Sequence, residues 1–218
     1  MTYSEIKSNE DIRTYIKAAD ASLLALGYTE HSFAHVTLVA ERAGEILERL
    51  GHSARTAELA RIAGFLHDIG NLVNRVEHSQ SGAVIAFRLL DKLGFPAEEV
   101  AAIVTAIGNH DEGTGVPVNP IAAALILADK SDVRRSRVRN RDFSTFDIHD
   151  RVNYSVVKAE LAISETDADV TLELEIDTAI SSVMDYFEIF LDRMILCRKA
   201  AETLGFHFRL IINGQRLL

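Results

Sequence analysis

The sequence is short of the features that build disulfide-bonded, secreted or membrane-spanning proteins. Cys197 is its single cysteine, so no disulfide and no thiolate zinc site can form within one chain. No apolar run approaches the ~18 residues that a membrane-spanning helix needs. Residues 1–10 are polar and mixed in charge, unlike a secretory signal. These absences predict a cytoplasmic protein that does not interact with membranes.

Basic residues are also scarce relative to acidic ones. The chain has 23 Lys and Arg against 32 Asp and Glu, a formal net charge of -9. This balance disfavours binding to a nucleic-acid backbone, which depends on clustered basic side chains. One segment departs from it with five arginines in close succession: Arg134, Arg135, Arg137, Arg139 and Arg141. Such a cluster in an acidic chain favours a small phosphorylated ligand, with a nucleotide as one candidate.

The first 133 residues or so have the patterns of helices. Apolar residues recur at steps of three and four from Val36 to Leu50, which is typical of an amphipathic helix. Further stripes precede Gly70 and follow Pro96, and Asn119-Pro120 has the composition of a helix start. We therefore predict a helical bundle over residues 1–142.

The pattern changes after the arginine-rich segment. Residues 170–176 and 206–212 alternate between apolar and polar side chains, as half-buried strands do. A weaker alternation predicts a further strand over 152–163, and a helical stripe over 178–204 lies between the last two strands. Residues 143–218 are thus predicted to form a small α+β unit in the order strand, strand, helix, strand. The chain as a whole is predicted to be mainly α.

The strongest candidate for chemistry is the pair His67-Asp68. It ends a predicted helix whose preceding residues, Ala63 to Leu66, are apolar. Ionisable groups at such a place are costly unless each has a partner. A divalent metal ion would satisfy both side chains, since imidazole and carboxylate are good ligands for it. Taken alone, the pair is better explained by a histidine at a helix end beside a solvated aspartate.

Other ionisable residues lie at similar positions. His35 belongs to the helix with the Val36 stripe, and Asp129 ends the apolar run from Ile121 to Ala128. His78 and His110 each stand at a predicted helix boundary. Together these positions predict a cluster of ligands rather than one isolated pair.

The order of these residues resembles the HD superfamily of metal-dependent phosphohydrolases, over about residues 28–133. The resemblance rests on three segments: His35-Val-Thr-Leu-Val39-Ala40, Leu66-His-Asp-Ile-Gly70 and Ala128-Asp-Lys-Ser-Asp132. Two branches of the superfamily differ from this chain. The cyclic-di-nucleotide phosphodiesterases have a lysine where Asn71 stands, and the alarmone hydrolases carry a Glu-Asp pair after the HD that is missing here.

The resemblance implies a helical domain that binds two divalent ions per chain. His35, His67, Asp68 and Asp129 would hold the first ion. His78 and His110 would hold the second, with Asp68 bridging the two. The metals that suit such ligands are Mn, Fe, Mg, Ni, Co and Zn.

Further residues are candidates for catalysis and substrate binding. Asp68, His31 and Lys130 are predicted to take part in catalysis, although a surface role for His31 and a solvated Lys130 stay open. The arginine-rich segment is predicted to bind substrate through Arg134, Arg135, Arg137 and Arg139. A solvated loop charge is the alternative for each of these arginines.

The function expected from these features is hydrolysis of a phosphoester, of a nucleotide or another small phosphorylated metabolite, by metal-activated water. A di-iron oxygenase with the same ligands is one alternative. A non-enzymatic regulatory module stabilised by metal is another. Residues 143–218 are expected to supply no metal ligand and to act as an accessory unit. They would either form a homodimer or pack against the chain's own helical domain.

Overall fold

A computed structural model describes all residues, 1–218, and it confirms the predicted fold class, a helical bundle followed by a small α+β unit. The helical part contains seven α-helices. They are α1 (Tyr3–Ser8), α2 (Glu10–Ala25), α3 (Phe33–Arg49), α4 (Ala54–Leu66), α5 (His78–Lys92), α6 (Ala97–Gly108) and α7 (Pro120–Lys130). A 3-10 turn, Ile69–Leu72, follows α4, and two more, Arg135–Arg137 and Phe143–Thr145, follow α7. No helix is long and apolar enough to cross a membrane.

The helix starts follow from local chemistry. The hydroxyl of Ser32 accepts a hydrogen bond from the backbone of α3, and that of Ser53 does the same for α4. Asn119 caps α7, whose first residue is Pro120. Each cap satisfies a backbone N–H that has no partner within the helix.

Helix α7 runs through the middle of the bundle. All residues from Ile121 to Lys130 are buried, and the helix packs against α3, α4, α6 and a later helix, α9 (Val183–Thr203). A helix that is covered on all sides must be apolar all round, and Ile121 to Ala128 satisfies this. Asp129 and Lys130 at its end therefore lie inside the protein, where charges require partners.

The C-terminal unit consists of two helices and a four-stranded sheet. Its elements are α8 (Ile148–Ser155), β1 (Val156–Ser164), β2 (Asp169–Ile176), α9 (Val183–Thr203), β3 (His207–Ile212) and β4 (Gln215–Arg216). The sheet order is β1-β2-β3-β4, with β2 and β3 parallel and the other pairs antiparallel. Helix α9 packs against both β3 and α7, so it joins the sheet to the bundle.

Two predicted boundaries in this unit are wrong. Residues 152–155 belong to α8 rather than to a strand, because Asp147 caps a short helix by accepting a hydrogen bond from the Asp150 backbone. The long helix begins at Val183 rather than near 178, because Ser182 and Asp185 form a capping box there. Both caps consist of polar side chains that hardly change the spacing of apolar residues in the sequence, so the spacing did not reveal these helix starts.

Gly70 lies where the turn after α4 touches the start of α5. A Cβ atom at this position would overlap the carbonyl oxygen of His78 and lie 2.5 Å from the backbone nitrogen of Gly82. Both neighbours are main-chain atoms, so α5 would have to move. We expect Gly70→Ala to lower the free energy of unfolding by about 1–3 kcal/mol, measured by chemical denaturation.

Gly108→Ala is the matched control for that substitution. A Cβ atom at Gly108 comes no closer than 3.6 Å to the Ala83 side chain, and the residue lies within α6. Alanine should be neutral there or should stabilise the protein by up to about 1 kcal/mol. Equal destabilisation by the two substitutions would contradict the close approach at Gly70.

Candidate metal centre

Six ionisable side chains meet where the ends of five helices come together. They are buried, each at most 8% exposed: His35, His67, Asp68, His78, His110 and Asp129. His35 is in the first turn of α3, and His67-Asp68 follows α4. His78 begins α5, His110 follows α6, and Asp129 lies near the end of α7. The structure thus brings all the predicted ligands to one place.

The first half of the cluster joins two histidines to two carboxylates. Nε2 of His35 lies 3.3 Å from Oδ1 of Asp129 and 3.5 Å from Oδ2 of Asp68. Nε2 of His67 lies 3.2 Å from the same Asp68 oxygen and 3.7 Å from the Asp129 oxygen. Four ligand atoms therefore surround a single position.

The second half lies on the other side of the Asp68 carboxylate. Oδ1 of Asp68 is 3.5 Å from Nε2 of His78. The Nε2 atoms of His78 and His110 lie 3.2 Å apart. Ligand atoms of His67, Asp68 and His110 also lie within 4.8 Å of one another. Asp68 thus presents one oxygen to each half of the cluster.

All four imidazole rings are oriented by hydrogen bonds from the nitrogen that faces away from the cluster. The Nδ1–H of His35 donates to Oδ2 of Asp132 at 2.7 Å. The other three donate to backbone carbonyls: His67 to Gly64 at 2.8 Å, His78 to Arg75 at 3.2 Å and His110 to Ile107 at 2.6 Å. This pattern directs the Nε2 lone pairs inward, as metal-binding histidines require.

Several of the inward-facing atoms have no hydrogen-bond partner in the protein. These are Nε2 of His35, Nε2 of His67 and Oδ2 of Asp68, all of them buried. Buried polar atoms without partners are rare and costly. Imidazole and carboxylate lone pairs that converge on one position fit a divalent cation. The donor set therefore suits the metal that the sequence predicts.

The charges of the site agree with this fit. Burial works to raise the pKa of Asp129, but Lys130 and His35 hold it well below its usual range. Burial keeps the pKa of His110 well below its usual value, so that ring is neutral at pH 7. Burial also lowers the pKa of His67, yet Asp68 and Asp129 raise it overall. The two carboxylates therefore attract positive charge to the position where a cation would bind.

A cavity of about 200 Å³ opens beside the cluster. Asp68, His78, His110 and Asp129 form part of its wall, together with His31. His31 precedes α3 rather than lying on it, and its Nδ1–H donates to the Thr29 carbonyl at 2.7 Å. His31 therefore reaches the cavity from the segment before α3, and its place in the cavity wall disfavours a surface role.

Lys130 is buried and lies in the same wall. Its ammonium is 2.8 Å from Oδ2 of Asp129 and 2.6 Å from Oε2 of Glu112. Arg193 of α9 pairs with the other Glu112 oxygen at 3.1 Å. These contacts connect the C-terminal unit to a candidate metal ligand through a chain of alternating charges, and they exclude a solvated Lys130.

Of the four arginines predicted to bind substrate, only Arg137 lines the cavity. It is 5% exposed, and its Nε and NH1 groups donate to the carbonyls of Glu30 and Asp132, each at 2.9 Å. Its guanidinium is therefore held rigidly at the cavity wall.

The other three arginines have structural partners elsewhere. Arg134 pairs with Asp132 at 2.8 Å. Arg135 donates to the Tyr154 carbonyl at 2.6 Å and lies over that residue's ring. Arg139 pairs with Asp20. None of the three lines the cavity, because short-range ion pairs and stacking hold them away from it.

Several residues of the site and its cavity were not predicted from the sequence. Asp132, which orients His35, does not line the cavity, and its position at a buried helix end was a usable signal. Glu112 lies in a predicted loop, where nothing in the local pattern indicates burial. The helical part adds Gly27, Tyr28, Thr29 and Arg75. The C-terminal unit adds Asp147, His149, Asp150, Asn153, Ile189, Phe190 and Arg193.

Comparison with known proteins places the chain in a family. The sequence model of the HD domain matches residues 32–170, and the chain therefore belongs to the HD domain family. The matched region includes all six residues of the cluster and extends through α8 and β1. Membership of this family agrees with the buried His/Asp clusters, whose side chains could hold a metal ion.

Two further proteins are similar to this chain. An uncharacterised protein of Methanocaldococcus jannaschii is 26% identical over 185 residues, which is 74% of this chain and 71% of that protein. The crystal structure of a predicted HD superfamily hydrolase from an uncultured Thermotogales bacterium is 27% identical. That alignment covers 62% of this chain and 75% of the other, with a TM-score of 0.47.

Proposed function

We propose that this protein hydrolyses the phosphoester bond of a small phosphorylated metabolite with the help of two divalent ions. The observation that carries the proposal is the convergence of unpartnered lone pairs from His35, His67 and Asp68. Of these three residues, Asp68 lies in the wall of the cavity, which also contains the fixed guanidinium of Arg137. Metal ligands beside an arginine fork are suited to phosphate chemistry.

The ligand sets divide around Asp68. His35, His67, Asp68 and Asp129 would hold one ion, and Asp68, His78 and His110 would hold the other. When bound, the ions would supply an activated water molecule and a Lewis acid for a phosphoryl oxygen. The orientation of all four imidazole rings is set by the protein before any ion binds.

The remaining residues of the cavity have roles in binding and proton transfer. Arg137 would donate hydrogen bonds to the phosphate oxygens. Lys130 would offset negative charge, although Asp129 and Glu112 already neutralise part of its own charge. His31 donates through Nδ1, which leaves Nε2 free to accept a proton from water in the cavity. Burial holds the pKa of His31 well below its usual value, so the ring is neutral at pH 7 and can accept a hydrogen bond from water.

The direct test is a screen of the purified, manganese-loaded protein against a panel of phosphorylated metabolites. Released phosphate and the product alcohol should both be detected, and a chelator should abolish the reaction. Oxygen consumption is measured in the same samples with iron in place of manganese. Oxidative cleavage without phosphate release would support the oxygenase instead, and no turnover under either condition would contradict the enzymatic proposal.

Arg137→Ala tests the role of the fixed guanidinium. A group that binds substrate and transition state equally should raise KM while kcat stays the same. Loss of one charged hydrogen bond corresponds to about a tenfold rise in KM. Steady-state kinetics on the best substrate from the screen would measure it.

Arg141→Ala is the matched control, because Arg141 is an exposed arginine of the same segment. It should leave KM unchanged. Because Arg137 also binds two backbone carbonyls, the thermal stability of both variants should be measured in parallel. An unaltered KM in a folded Arg137→Ala protein would show that this guanidinium does not bind substrate.

A further inference from the structure

The cavity has a second set of polar side chains, which the proposed chemistry does not use. They come from α8 and the residue that caps it: Asp147, His149, Asp150 and Asn153. Residues 147, 150 and 153 are spaced by three, so they lie on one side of the helix. The metal centre comes from the helical bundle, whereas α8 belongs to the C-terminal unit. A substrate whose phosphate lies at the metal centre would therefore direct its alcohol portion towards α8.

The side chain of Asn153 is already fixed in place. It is 6% exposed, and its amide N–H donates to the His149 carbonyl at 2.9 Å. Its carbonyl oxygen receives no hydrogen bond from the protein and is available to the cavity. One oxygen of Asp150 accepts a hydrogen bond from Asn140 at 3.3 Å, which leaves the other free. This face of α8 thus offers fixed hydrogen-bond acceptors.

The same cavity has few surfaces against which a flat aromatic group could pack. Three of its 19 lining residues are hydrophobic. The guanidinium of Arg193 lies 4.1 Å from the centroid of Phe190, which is itself 2% exposed. Arg75 lies over the ring of Tyr28 at 5.8 Å. A nucleobase gains most from stacking on an aromatic face. The Phe190 ring is buried beneath Arg193, so the 44% exposed Tyr28, which already has Arg75 over one face, is the only ring that could offer such a face.

The size of the cavity also disfavours a nucleoside as the alcohol portion of the substrate. Its volume of about 200 Å³ is below the roughly 300–1,000 Å³ of pockets that enclose drug-sized ligands. Such pockets are also lined mainly by apolar groups, unlike this one. A small and polar alcohol portion therefore fits better than a nucleoside.

We infer that α8 binds the alcohol portion of a small hydroxyl-rich phosphate ester, such as a sugar or polyol phosphate. This inference rests on the proposed function, which places the phosphate at the metal centre. A hydroxyl group donates to the free oxygens of Asp150 and Asn153, and it can also accept from the His149 ring. An ammonium group would also suit Asp150, so a substrate with an ammonium group is the alternative that the experiment must separate from a hydroxyl-rich one.

The experiment compares four phosphomonoesters with the full-length, manganese-loaded protein. They are glycerol phosphate, glucose phosphate, adenosine monophosphate and p-nitrophenyl phosphate. The two hydroxyl-rich esters should have a kcat/KM at least about tenfold above that of adenosine monophosphate, since sites built around hydroxyl groups discriminate strongly. Phosphoethanolamine is added to test the ammonium alternative.

Two variants then test α8 itself. Asp150→Asn and Asn153→Leu should each lower kcat/KM for the hydroxyl-rich esters about 2- to 10-fold relative to p-nitrophenyl phosphate, which has no hydroxyl for α8 to bind. Glu202→Gln, at an exposed site on α9, is the control and should leave that ratio unchanged. Asp150→Asn is a conservative change at a half-buried position. It can therefore still test the inference if Asn153→Leu does not fold.

The outcomes separate this inference from the proposed function. Hydrolysis of p-nitrophenyl phosphate, with adenosine monophosphate or phosphoethanolamine preferred over the hydroxyl-rich esters, would overturn the inference alone. Unchanged ratios in folded α8 variants would overturn it as well. No hydrolysis of any ester would overturn the proposed function and the inference with it.

Discussion

Asp68→Ala should remove metal from both halves of the centre and almost abolish hydrolysis. Asp68 is the only side chain with one oxygen towards His35 and His67 and the other towards His78. Its loss also leaves converging imidazole lone pairs without a carboxylate to balance the charge of an ion. Loss of metal catalysis is worth several kcal/mol, or about 10³-fold in kcat/KM. Elemental analysis and steady-state kinetics would measure the two effects.

His78→Ala provides the informative contrast. It removes a ligand from one half only, so about half of the bound metal should remain in place. Asp91→Ala, at an exposed position near the end of α5, should retain the full metal content. Full metal occupancy in Asp68→Ala would refute the site assignment. A wild-type protein that binds one ion per chain, with His78→Ala retaining it, would refute a dinuclear centre.

The candidate ligands could be predicted from the sequence because each breaks a local pattern. His67, Asp68 and Asp129 are ionisable residues at the ends of apolar helices. A helix as uniformly apolar as Ile121 to Ala128 has to be covered by protein on all sides. The order of these residues then matched a known family. Burial and order are both readable along the chain, so no long-range contact was needed to find them.

The walls of the cavity could not be predicted in the same way. Glu112 and Arg193 are 81 residues apart, and only tertiary packing brings them together. Arg137 differs from Arg134 and Arg139 through its hydrogen bond to the backbone of Glu30, a contact that no local pattern encodes. Residues 152–155, the end of α8, were assigned to a strand because a helix of eight residues is too short for a clear helical period.

The placement of charge explains why the C-terminal unit is part of the site. Lys130 is buried, and a buried ammonium is stable only with close anionic partners. Asp129 supplies one and Glu112 the other, while Arg193 of α9 pairs with the second oxygen of Glu112. Helix α9 therefore completes an electrostatic network that begins at a candidate metal ligand.

Asp132→Asn should weaken metal binding without removing any ligand. The Asp132 carboxylate accepts the Nδ1–H of His35 at 2.7 Å, and this bond orients the ring and makes its Nε2 more basic. Burial works to raise the pKa of Asp132, but His35 and Arg137 keep it well below its usual range, so the group is ionised at pH 7. Asparagine keeps the shape and removes the charge. Metal affinity should fall about 10- to 100-fold, measured by competition with a chelator.

Asp169→Asn is the matched control for this last substitution. Asp169 also accepts a hydrogen bond from an arginine, Arg209 at 3.1 Å, but it lies in the sheet and far along the chain from any candidate ligand. Its variant should bind metal as the wild type does. If Asp132→Asn also kept wild-type affinity while remaining folded, the hydrogen bond to His35 would have no part in metal binding. Loss of affinity in both variants would instead indicate a general loss of stability, which thermal denaturation of each apo protein would reveal.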